Sequence, residues 1–389
     1  MKLSILRYWG SYLKSYRGVS GMNRFLEVIC ERGWNFALVM EKPPENKAWM
    51  NEINTRGAEF VYLPRPKSNF DWKCVLQTYR WCKRLNCDIF HCDNMHTSPL
   101  LGAGLAGVPV RIWSKRSMNH VFEAGRTPSL RDKLAVSTRL SCFLATNVLA
   151  ISDAVKEELV QLAIPASNII TFNNPMSSLN FSKVDRKKAR SRLGFGEDDI
   201  VVTAVGHSVP VKGWDVLLKA FGEIAGSIER MKLLFVGSCA APHEKAHFDE
   251  LTQLITQMGL TNRVAFTGYV DEVTEELRAS DIFVLPSRSE GNSNALIEAV
   301  CAGLPCVATR VGTAEKFIKH NVNGFLVDRE DYMEMAHRLR MLGTDENLRG
   351  QMASMSKPPE WVQSPEEHLK SLLDLYENLA AENRNRHSN

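Results

Sequence analysis

Two glutamates, Glu290 and Glu298, stand eight positions apart in the segment SRSEGNSNALIEAVCAGLPCVATRVG at residues 287–312. The hydrophobic strand DIFVLPS precedes them, and we predict a helix that begins near Asn294. Glu290 would then lie in the loop, and Glu298 about one turn into the helix. Carboxylates accept hydrogen bonds from hydroxyl groups, so this pair could hold the hydroxyls of a sugar and of a ribose. A solvated helix position and a helix N-terminal charge are the ordinary roles of single glutamates.

A second candidate group follows another predicted strand. The stretch VVTAVGHSVPVKGWD at 201–215 predicts a strand, a loop with Gly206, His207 and Lys212, and a helix start. Ser238 follows the next predicted strand. Ligands of open parallel sheets bind beyond the carboxyl ends of the strands, and free N–H groups at a helix start suit phosphate. Taken alone, this loop is better explained by turn glycines and a surface lysine.

Considered together, the two groups favour a ligand site over these ordinary roles. Two carboxylates that accept from diols, beside a loop suited to phosphate, describe a nucleotide-sugar pocket. Backbone N–H groups of residues 292–295 would face the same ligand.

These motifs need a scaffold of alternating strands and helices, and the sequence predicts one. The length of 389 residues exceeds the usual single domain, so two domains are expected. Short apolar strands alternate with amphipathic helices throughout, which predicts an α/β fold with parallel sheets covered on both faces. The periodic spacing of apolar residues is lost near residues 173–188. We therefore predict two Rossmann-like domains, at 1–180 and 181–360, and a final helix at 361–382.

The charge is divided unevenly along the chain. Through residue 188 there are 27 Lys and Arg against 15 Asp and Glu, and the remainder has 21 against 29. A basic half favours an anionic partner such as a membrane surface, a lipid phosphate or an acidic glycan, although a solvated surface explains it equally well. No nucleic-acid motif accompanies it. A weak amphipathic surface signal comes from Arg126, Leu130, Arg131, Lys133, Leu134, Arg139 and Phe143.

Other sequence features exclude several classes of protein. No signal peptide or membrane-spanning stretch is predicted, so we expect a cytoplasmic protein. Nine cysteines without a CxxC pair favour reduced thiols. Cys82, Cys87 and Cys92 lie near His91 and Asp93, but their spacing matches no zinc pattern, so no metal and no cofactor are expected. No strand–GxGxxG–helix unit supports a nicotinamide enzyme.

The segment EGNSNALIEAVCAGLPCVATRVG resembles the E-x7-E signature of the retaining nucleotide-sugar glycosyltransferases of the GT-B architecture. Other segments agree in the family's order. GVSGMNRFLEVICERGWNFALV resembles the first glycine loop and helix, and VGHSVPVKGWDVLLKAF resembles the phosphate loop. The resemblance covers nearly the whole chain and is most specific from about 200 to 328.

This resemblance implies an enzyme that moves a sugar, with retention and without a metal, from a nucleoside-diphosphate sugar of the UDP or GDP type. The acceptor would be a glycan or a polyprenyl-diphosphate-linked glycan in surface polysaccharide biosynthesis, including lipopolysaccharide. Donor and acceptor would bind to the second and first domains, which face each other across a cleft in this architecture. The final helix would cross back to the first domain. If the acceptor is membrane-borne, as the basic first domain favours, the protein would sit peripherally on the inner membrane face.

Residue roles are likewise implied by the resemblance. Glu290 would hold the donor sugar, Glu298 the ribose, and Lys212 the departing diphosphate. The predicted donor site comprises Gly206, His207, Ser238, Gly268, Tyr269, Gly291, Asn292, Ser293, Asn294, Ala295 and Glu298. The predicted catalytic groups are Glu290, Lys212 and, on the acceptor side, His96, Lys115 and Arg116.

Two departures keep a second function open. The family usually has Arg where this chain has His207, and histidine is shorter and largely neutral at pH 7. Members also carry a His after the strand that matches VPVRIW, where this chain has Lys115 and Arg116. The alternative is a nucleotide-sugar-binding subunit that has lost catalysis and regulates or scaffolds polysaccharide assembly. Nucleotide-sugar 2-epimerases share the architecture, but the pattern near Glu290 is closer to the transferases.

Overall fold

The computed structural model forms two compact units, each built on one parallel sheet. It describes residues 2–10, 16–41, 55, 57–63, 65–93, 97–118, 133–176 and 179–388, with the backbone alone at 9, 10, 16–22, 133, 134 and 386–388. One unit comprises Met1–Asn173 and Glu366–Asn389, and the other comprises Asn174–Pro365. The prediction of two parallel-sheet α/β domains is confirmed. The predicted boundary after residue 180 lies shortly beyond this division.

The first unit contains a seven-stranded sheet within the described residues. Its strands are β1 (Ser4–Gly10), β2 (Asn35–Met40), β3 (Ala58–Tyr62), β4 (Ile89–Cys92), β5 (Val110–Lys115), β6 (Asn147–Ala150) and β7 (Ile169–Thr171). Its helices before residue 173 are α1 (Tyr16–Glu31), α2 (Trp72–Arg84), α3 (Thr97–Leu105), α4 (Lys133–Leu144) and α5 (Asp153–Gln161). The strand order is β3-β2-β1-β4-β5-β6-β7, with parallel pairing.

The second unit contains a six-stranded sheet. Its strands are β8 (Ile200–Val205), β9 (Met231–Val236), β10 (Val264–Phe266), β11 (Ile282–Leu285), β12 (Cys306–Thr309) and β13 (Gly324–Val327). Its helices are α6 (Arg186–Leu193), α7 (Trp214–Ala225), α8 (Pro242–Gln257), α9 (Thr274–Ala279), α10 (Asn294–Cys301), α11 (Ala314–Phe317), α12 (Tyr332–Thr344) and α13 (Glu346–Met355). The strand order is β10-β9-β8-β11-β12-β13.

The topology decides where a ligand can bind in the second unit. The chain builds outward from β8 through β9 to β10, and then from β11 in the opposite direction. Strand order therefore reverses between β8 and β11, and in open parallel sheets the crevice outside the carboxyl ends at such a reversal is the usual ligand site. The loops that follow β8 and β11 carry the predicted functional residues.

The last helix, α14 (Pro365–Ser388), completes the first unit. Leu372, Leu373 and Tyr376 of this helix pack in the same core as Leu3 and Ile5. The predicted return of the final helix to the first domain is thus confirmed, and burial of its apolar side chains supplies the physical reason. Within the described part of the chain, no helix combines the length and apolarity needed to span a membrane.

Candidate active site of the second unit

Lys212 and Glu290 meet where the strand order of the second sheet reverses. Lys212 ends a single 3₁₀ turn, Pro210–Lys212, between β8 and α7, and its Nζ donates to Glu290 Oε1 at 2.7 Å. Ser287 Oγ donates to the same carboxylate oxygen at 2.8 Å. The Lys212 stem runs past Gly206, where an added Cβ would lie 3.3 Å from two of its carbons. The structure therefore joins the predicted phosphate loop and the predicted sugar loop into one cluster.

Close backbone contacts fix this cluster. Gly213 has a φ of 63°, and a Cβ there would lie 2.0 Å from the carbonyl oxygen of Pro286. Gly312 has a φ of 55°, and a Cβ there would lie 2.4 Å from the carbonyl oxygen of Glu290. Glycine is required at both positions, because a side chain would meet backbone in a conformation that L-residues rarely adopt. The loop around Glu290 is thus held from both sides.

Side-chain hydrogen bonds shape the start of α10. Ser293 is the N-cap residue, and its Oγ accepts from the Leu296 N–H at 3.3 Å. Asn292 Oδ1 accepts from Thr313 Oγ1 at 2.7 Å, and Asn294 Oδ1 accepts from the Asn174 amide at 2.5 Å. The helix begins at Asn294, as the sequence predicts. These contacts fix the free N–H groups and the positive end of the helix dipole beside Glu290, a setting that favours anions.

The remaining residues of this segment lie in the same loop and helix. Gly291 precedes Asn292, and Ala295 follows Asn294 in the first turn. Glu298, on the next turn, is only 8% exposed. A solvated helix position therefore does not describe Glu298, since buried carboxylates need polar partners.

Three glycines form the ends of β8, β9 and β10. A Cβ on Gly237, whose φ is 144°, would lie 1.5 Å from the Gly206 carbonyl oxygen, and the Gly237 N–H donates to the Gly268 carbonyl at 3.0 Å. Gly268 has a φ of 72°. Tyr269 follows it with its side chain exposed. These strand ends pack backbone against backbone, and the three glycines add no side chain at this edge of the sheet.

His207 and Ser238 are joined by a residue that the sequence analysis missed. Glu244 lies in the first turn of α8. Its carboxylate accepts hydrogen bonds from His207 Nδ1 at 2.9 Å, Ser238 Oγ at 2.6 Å and the Ala241 N–H at 2.9 Å. Burial opposes ionisation, but these hydrogen bonds outweigh it and lower the pKa of Glu244 to about 2. Because the carboxylate is ionised, His207 Nδ1 must carry the hydrogen. The signal in the sequence was a glutamate two residues after a proline at a helix start.

The acceptor-side candidates of the first unit have different outcomes. Lys115 is fully buried and pairs with Glu158 at 3.2 Å, so its side chain has no surface with which to contact an acceptor. Arg116 is half-exposed and pairs with Asp93 at 3.4 Å. His96 lies outside the described residues. Lys115 therefore does not fit the predicted role, whereas Arg116 retains an accessible guanidinium.

His91 is a core histidine. Its Nδ1 lies 2.6 Å from the Tyr376 hydroxyl, and its Nε2 lies 2.6 Å from Ser114 Oγ. Burial lowers the pKa of His91 to about 3. Among the residues that the structure describes, no cluster of three or more His, Cys, Asp or Glu side chains could hold a metal ion.

Known proteins share this architecture and this order of domains. The chain matches the structure of Anabaena Alr3699/HepE in complex with UDP over 97% of its own length and 100% of that chain, with a TM-score of 0.76 and 18% identity. The family model Glycosyltransferase Family 4 matches residues 24–177, and the model Glycosyl transferases group 1 matches residues 185–357. The chain belongs to the GT-B glycosyltransferases. The resemblance found in the sequence is thereby confirmed at the level of the family.

Two curated proteins are similar to this glycosyltransferase. It is 25% identical to the N-acetyl-alpha-D-glucosaminyl L-malate synthase of Bacillus anthracis, over 78% of each chain. It is 27% identical to the capsular polysaccharide biosynthesis glycosyltransferase CapM of Staphylococcus aureus, over 62% of this chain and 63% of that protein. These likenesses support glycosyl transfer in glycan or glycolipid biosynthesis.

Proposed function

We propose that the protein is a retaining, metal-independent glycosyltransferase with a nucleoside-diphosphate sugar donor. The donor would be of the UDP or GDP type, and the acceptor would be a glycan or a polyprenyl-diphosphate-linked glycan of surface polysaccharide biosynthesis. The observation that carries the proposal is the 2.7 Å contact of Lys212 Nζ with Glu290 Oε1 at the reversal point of the second sheet. The UDP complex of the HepE neighbour supports a nucleotide at this kind of fold.

In the proposed mechanism, Lys212 stabilises the charge of the departing nucleoside diphosphate. The bond from the anomeric carbon to the phosphate oxygen breaks, and the sugar develops oxocarbenium-like character while the leaving diphosphate gains charge. The acceptor hydroxyl would bond to the anomeric carbon on the same face, and its proton would pass to the leaving diphosphate. Lys212 and the N–H groups at the start of α10 are already in place before that charge develops. Electrostatic groups arranged in advance cost no reorganisation during the reaction. A lysine in this role replaces a divalent ion.

Glu290 and Glu298 would select the sugar and the nucleoside. Glu290 accepts hydrogen bonds from Lys212 and Ser287 on one oxygen, Oε1, and so the other oxygen is the one proposed to accept from the donor sugar hydroxyls. Glu298 would accept from the ribose, and Gly268 and Tyr269 would lie beside the base. His207, whose Nδ1–H is held by Glu244, would lie beside the diphosphate and would donate Nε2–H to it as an imidazolium.

For the acceptor, we propose a first-unit site that includes Arg116 and His96, with an anionic membrane surface as a further partner. Of the predicted amphipathic stretch, Arg126, Leu130 and Arg131 lie outside the described residues. Helix α4 supports the membrane partner, because Val136 and Phe143 are exposed seven positions apart on one face and Arg139 lies between them. Co-flotation with vesicles that contain anionic phospholipid at low salt tests it. If the protein does not co-float with these vesicles, a membrane is not its partner and the position on the inner membrane face is wrong.

Release of nucleoside diphosphate from a panel of UDP and GDP sugars tests the enzymatic proposal. We expect turnover with one base, and NMR of the product is expected to show the anomeric configuration of the donor. Inverted product would refute retention. A second function, a nucleotide-sugar-binding subunit without catalysis, is favoured by His207 in place of arginine. It predicts tight donor binding with no release of nucleoside diphosphate in the presence of any acceptor.

A further inference from the structure

The guanidinium of Arg288 ties together the segments that surround Lys212. It makes a two-pronged pair with Asp215 of α7, with Nη1–Oδ1 at 2.8 Å and Nη2–Oδ2 at 2.9 Å. On its other side it bonds Glu330, with Nε–Oε1 at 2.5 Å and Nη2–Oε2 at 3.0 Å. Nη1 also donates to the Pro210 carbonyl oxygen. Both carboxylates, Asp215 first, raise the pKa of Arg288 above its ordinary value.

These contacts enclose the turn that carries Lys212. Pro210, at the start of the turn, accepts from the Arg288 side chain, and Val211 accepts from the Arg288 backbone N–H at 2.8 Å. Asp215 lies just past the end of the turn, in the first turn of α7. Lys212 therefore projects toward Glu290 from a turn that is held at both ends by one residue of the Glu290 loop.

The backbone conformation of Glu330 indicates that its surroundings hold it beside Arg288. Glu330 has a φ of 65°, in the left-handed region that non-glycine residues seldom occupy. Such a conformation persists when its surroundings over-determine it, and strain of this kind concentrates at functional sites. The two hydrogen bonds to Arg288 are the contacts that the structure shows for its carboxylate.

We propose that Arg288 is a positioning residue that aligns Lys212 with the donor diphosphate, acting through the Pro210–Lys212 turn and not by direct contact with phosphate. Its guanidinium is already committed to Asp215, Glu330 and the Pro210 carbonyl. This inference rests on the proposed function of the second unit. Arg288 lies between β11 and Glu290, where the sequence by itself indicates only a surface charge.

The test measures how much each protein prefers a nucleoside diphosphate over the matching monophosphate. Titrations with UDP and UMP, GDP and GMP, and ADP and AMP identify the base that the wild-type protein binds. Arg288→Ala is expected to reduce the diphosphate preference about tenfold and to leave monophosphate affinity unchanged, because the base and ribose contacts remain. Arg288→Lys is expected to show the same loss, since lysine keeps the charge but cannot make the two-pronged pair.

Asp215→Asn separates positioning from charge by the sign of its effect. If Arg288 acted only through electrostatics, removal of a carboxylate near the site would strengthen diphosphate binding. Positioning predicts the opposite, because the neutral amide weakens the pair that holds the turn. In a Lys212→Ala background, Arg288→Ala is expected to cost nothing further, since two residues that act through one contact are not additive.

Arg186→Ala is the matched control. Arg186 bonds Asp281 at 2.6 Å and the carbonyls of Arg278 and Ser280, at the opposite end of β11 from Arg288. Its loss removes a comparable set of contacts and is expected to leave the diphosphate preference intact.

An unchanged preference in Arg288→Ala, rescue by Arg288→Lys, or tighter diphosphate binding in Asp215→Asn would overturn the inference and leave the proposed function standing. Failure of the wild-type protein to bind any nucleoside diphosphate would instead refute the proposed function. The two milder variants keep the test decisive if Arg288→Ala does not fold.

Discussion

Both sheets carry polar side chains where the strand order reverses, within the strands in the first unit and in the following loops in the second, and the two sets differ in exposure. In the first unit, Arg7 of β1 and His91 of β4 are register partners, and Arg7 bonds Asp93 at 2.7 Å. All three are nearly inaccessible, and His91 is bonded to Tyr376 of α14. In the second unit, Lys212 and Glu290 remain partly exposed, and the His207 side chain is 61% exposed.

The difference shows how one architecture can support two tasks. A polar group that is buried must be satisfied within the protein, and His91 is held neutral by burial between two hydroxyls. The first-unit cluster therefore docks a helix. The second-unit cluster keeps an accessible lysine, Lys212, and helix N–H groups, which suit an anionic ligand. We expect loss of function from changes to the second cluster and loss of stability from changes to the first.

The largest expected effect is on turnover in Lys212→Ala. Removal of one preorganised group at a developing charge costs on the order of 3 kcal/mol of barrier, roughly a hundredfold or more in rate. Lys219→Ala, an exposed lysine of α7, is the matched control and is expected to retain full turnover. Steady-state assays with the active donor measure both. Equal rates for the two variants would remove Lys212 from the mechanism.

The next effect is on stability in His91→Ala. The substitution leaves the Tyr376 and Ser114 hydroxyls without their imidazole partner and opens a cavity, so unfolding should become easier by about 2–3 kcal/mol. His243→Ala, at an exposed position of α8, should change stability little. Urea unfolding followed by tryptophan fluorescence gives the comparison. A wild-type unfolding curve for His91→Ala would contradict the docking role of the first cluster.

Acid should weaken the first unit before the second. The folded pKa of His91, about 3, lies below its ordinary 6.5, so the unfolded chain binds the proton more readily and stability falls as pH drops from about 6.5 to 3. The slope is at most about 1.4 kcal/mol per pH unit. Glu244, with a pKa of about 2 against an ordinary 4.5, adds a loss only below about pH 4.5. Amide hydrogen exchange across pH, resolved by unit, checks the order, and a second unit that opened first would contradict it.

The smallest expected effect is on diphosphate affinity in Glu244→Gln. The amide can still bond Ser238, but it no longer fixes the His207 Nδ1 hydrogen with a charged acceptor. We expect roughly a fivefold weakening, equivalent to about 1 kcal/mol. Calorimetric titration measures it, with Glu250→Gln, on an exposed position of α8, as the control. Unchanged diphosphate affinity in Glu244→Gln would show that His207 does not take part in donor binding.

Much of the second unit could be predicted from the sequence. Apolar strands that end in glycine or serine and precede helices fix which loops share a sheet edge, and so Lys212 and Glu290 could be placed together although 78 positions separate them. The helix start at Asn294 followed from the Ser-Asn sequence before an apolar run.

Other features could not be predicted, for identifiable reasons. Lys115 ends a strand, and a strand pattern alone does not say that Glu158 of a following helix would cover it. The partners of Arg288 and Glu244 lie on other segments of the chain, and their proximity depends on tertiary packing. The sequence does favour a core histidine at the strand end for His91, but its partner Tyr376, 285 positions away, could not be predicted.

The central claim is that the second-unit cluster binds a nucleoside diphosphate. Thermal-shift measurements with UDP, GDP, ADP, CMP and their common sugar conjugates, run beside Glu298→Ala, test it most directly. A ligand that binds only the folded state stabilises it by about 2.7 kcal/mol at a hundredfold excess over its dissociation constant. We predict a raised Tm with one nucleotide family, and loss of that shift in Glu298→Ala. No shift with any nucleotide, or an equal shift in the variant, would contradict the assignment of this site.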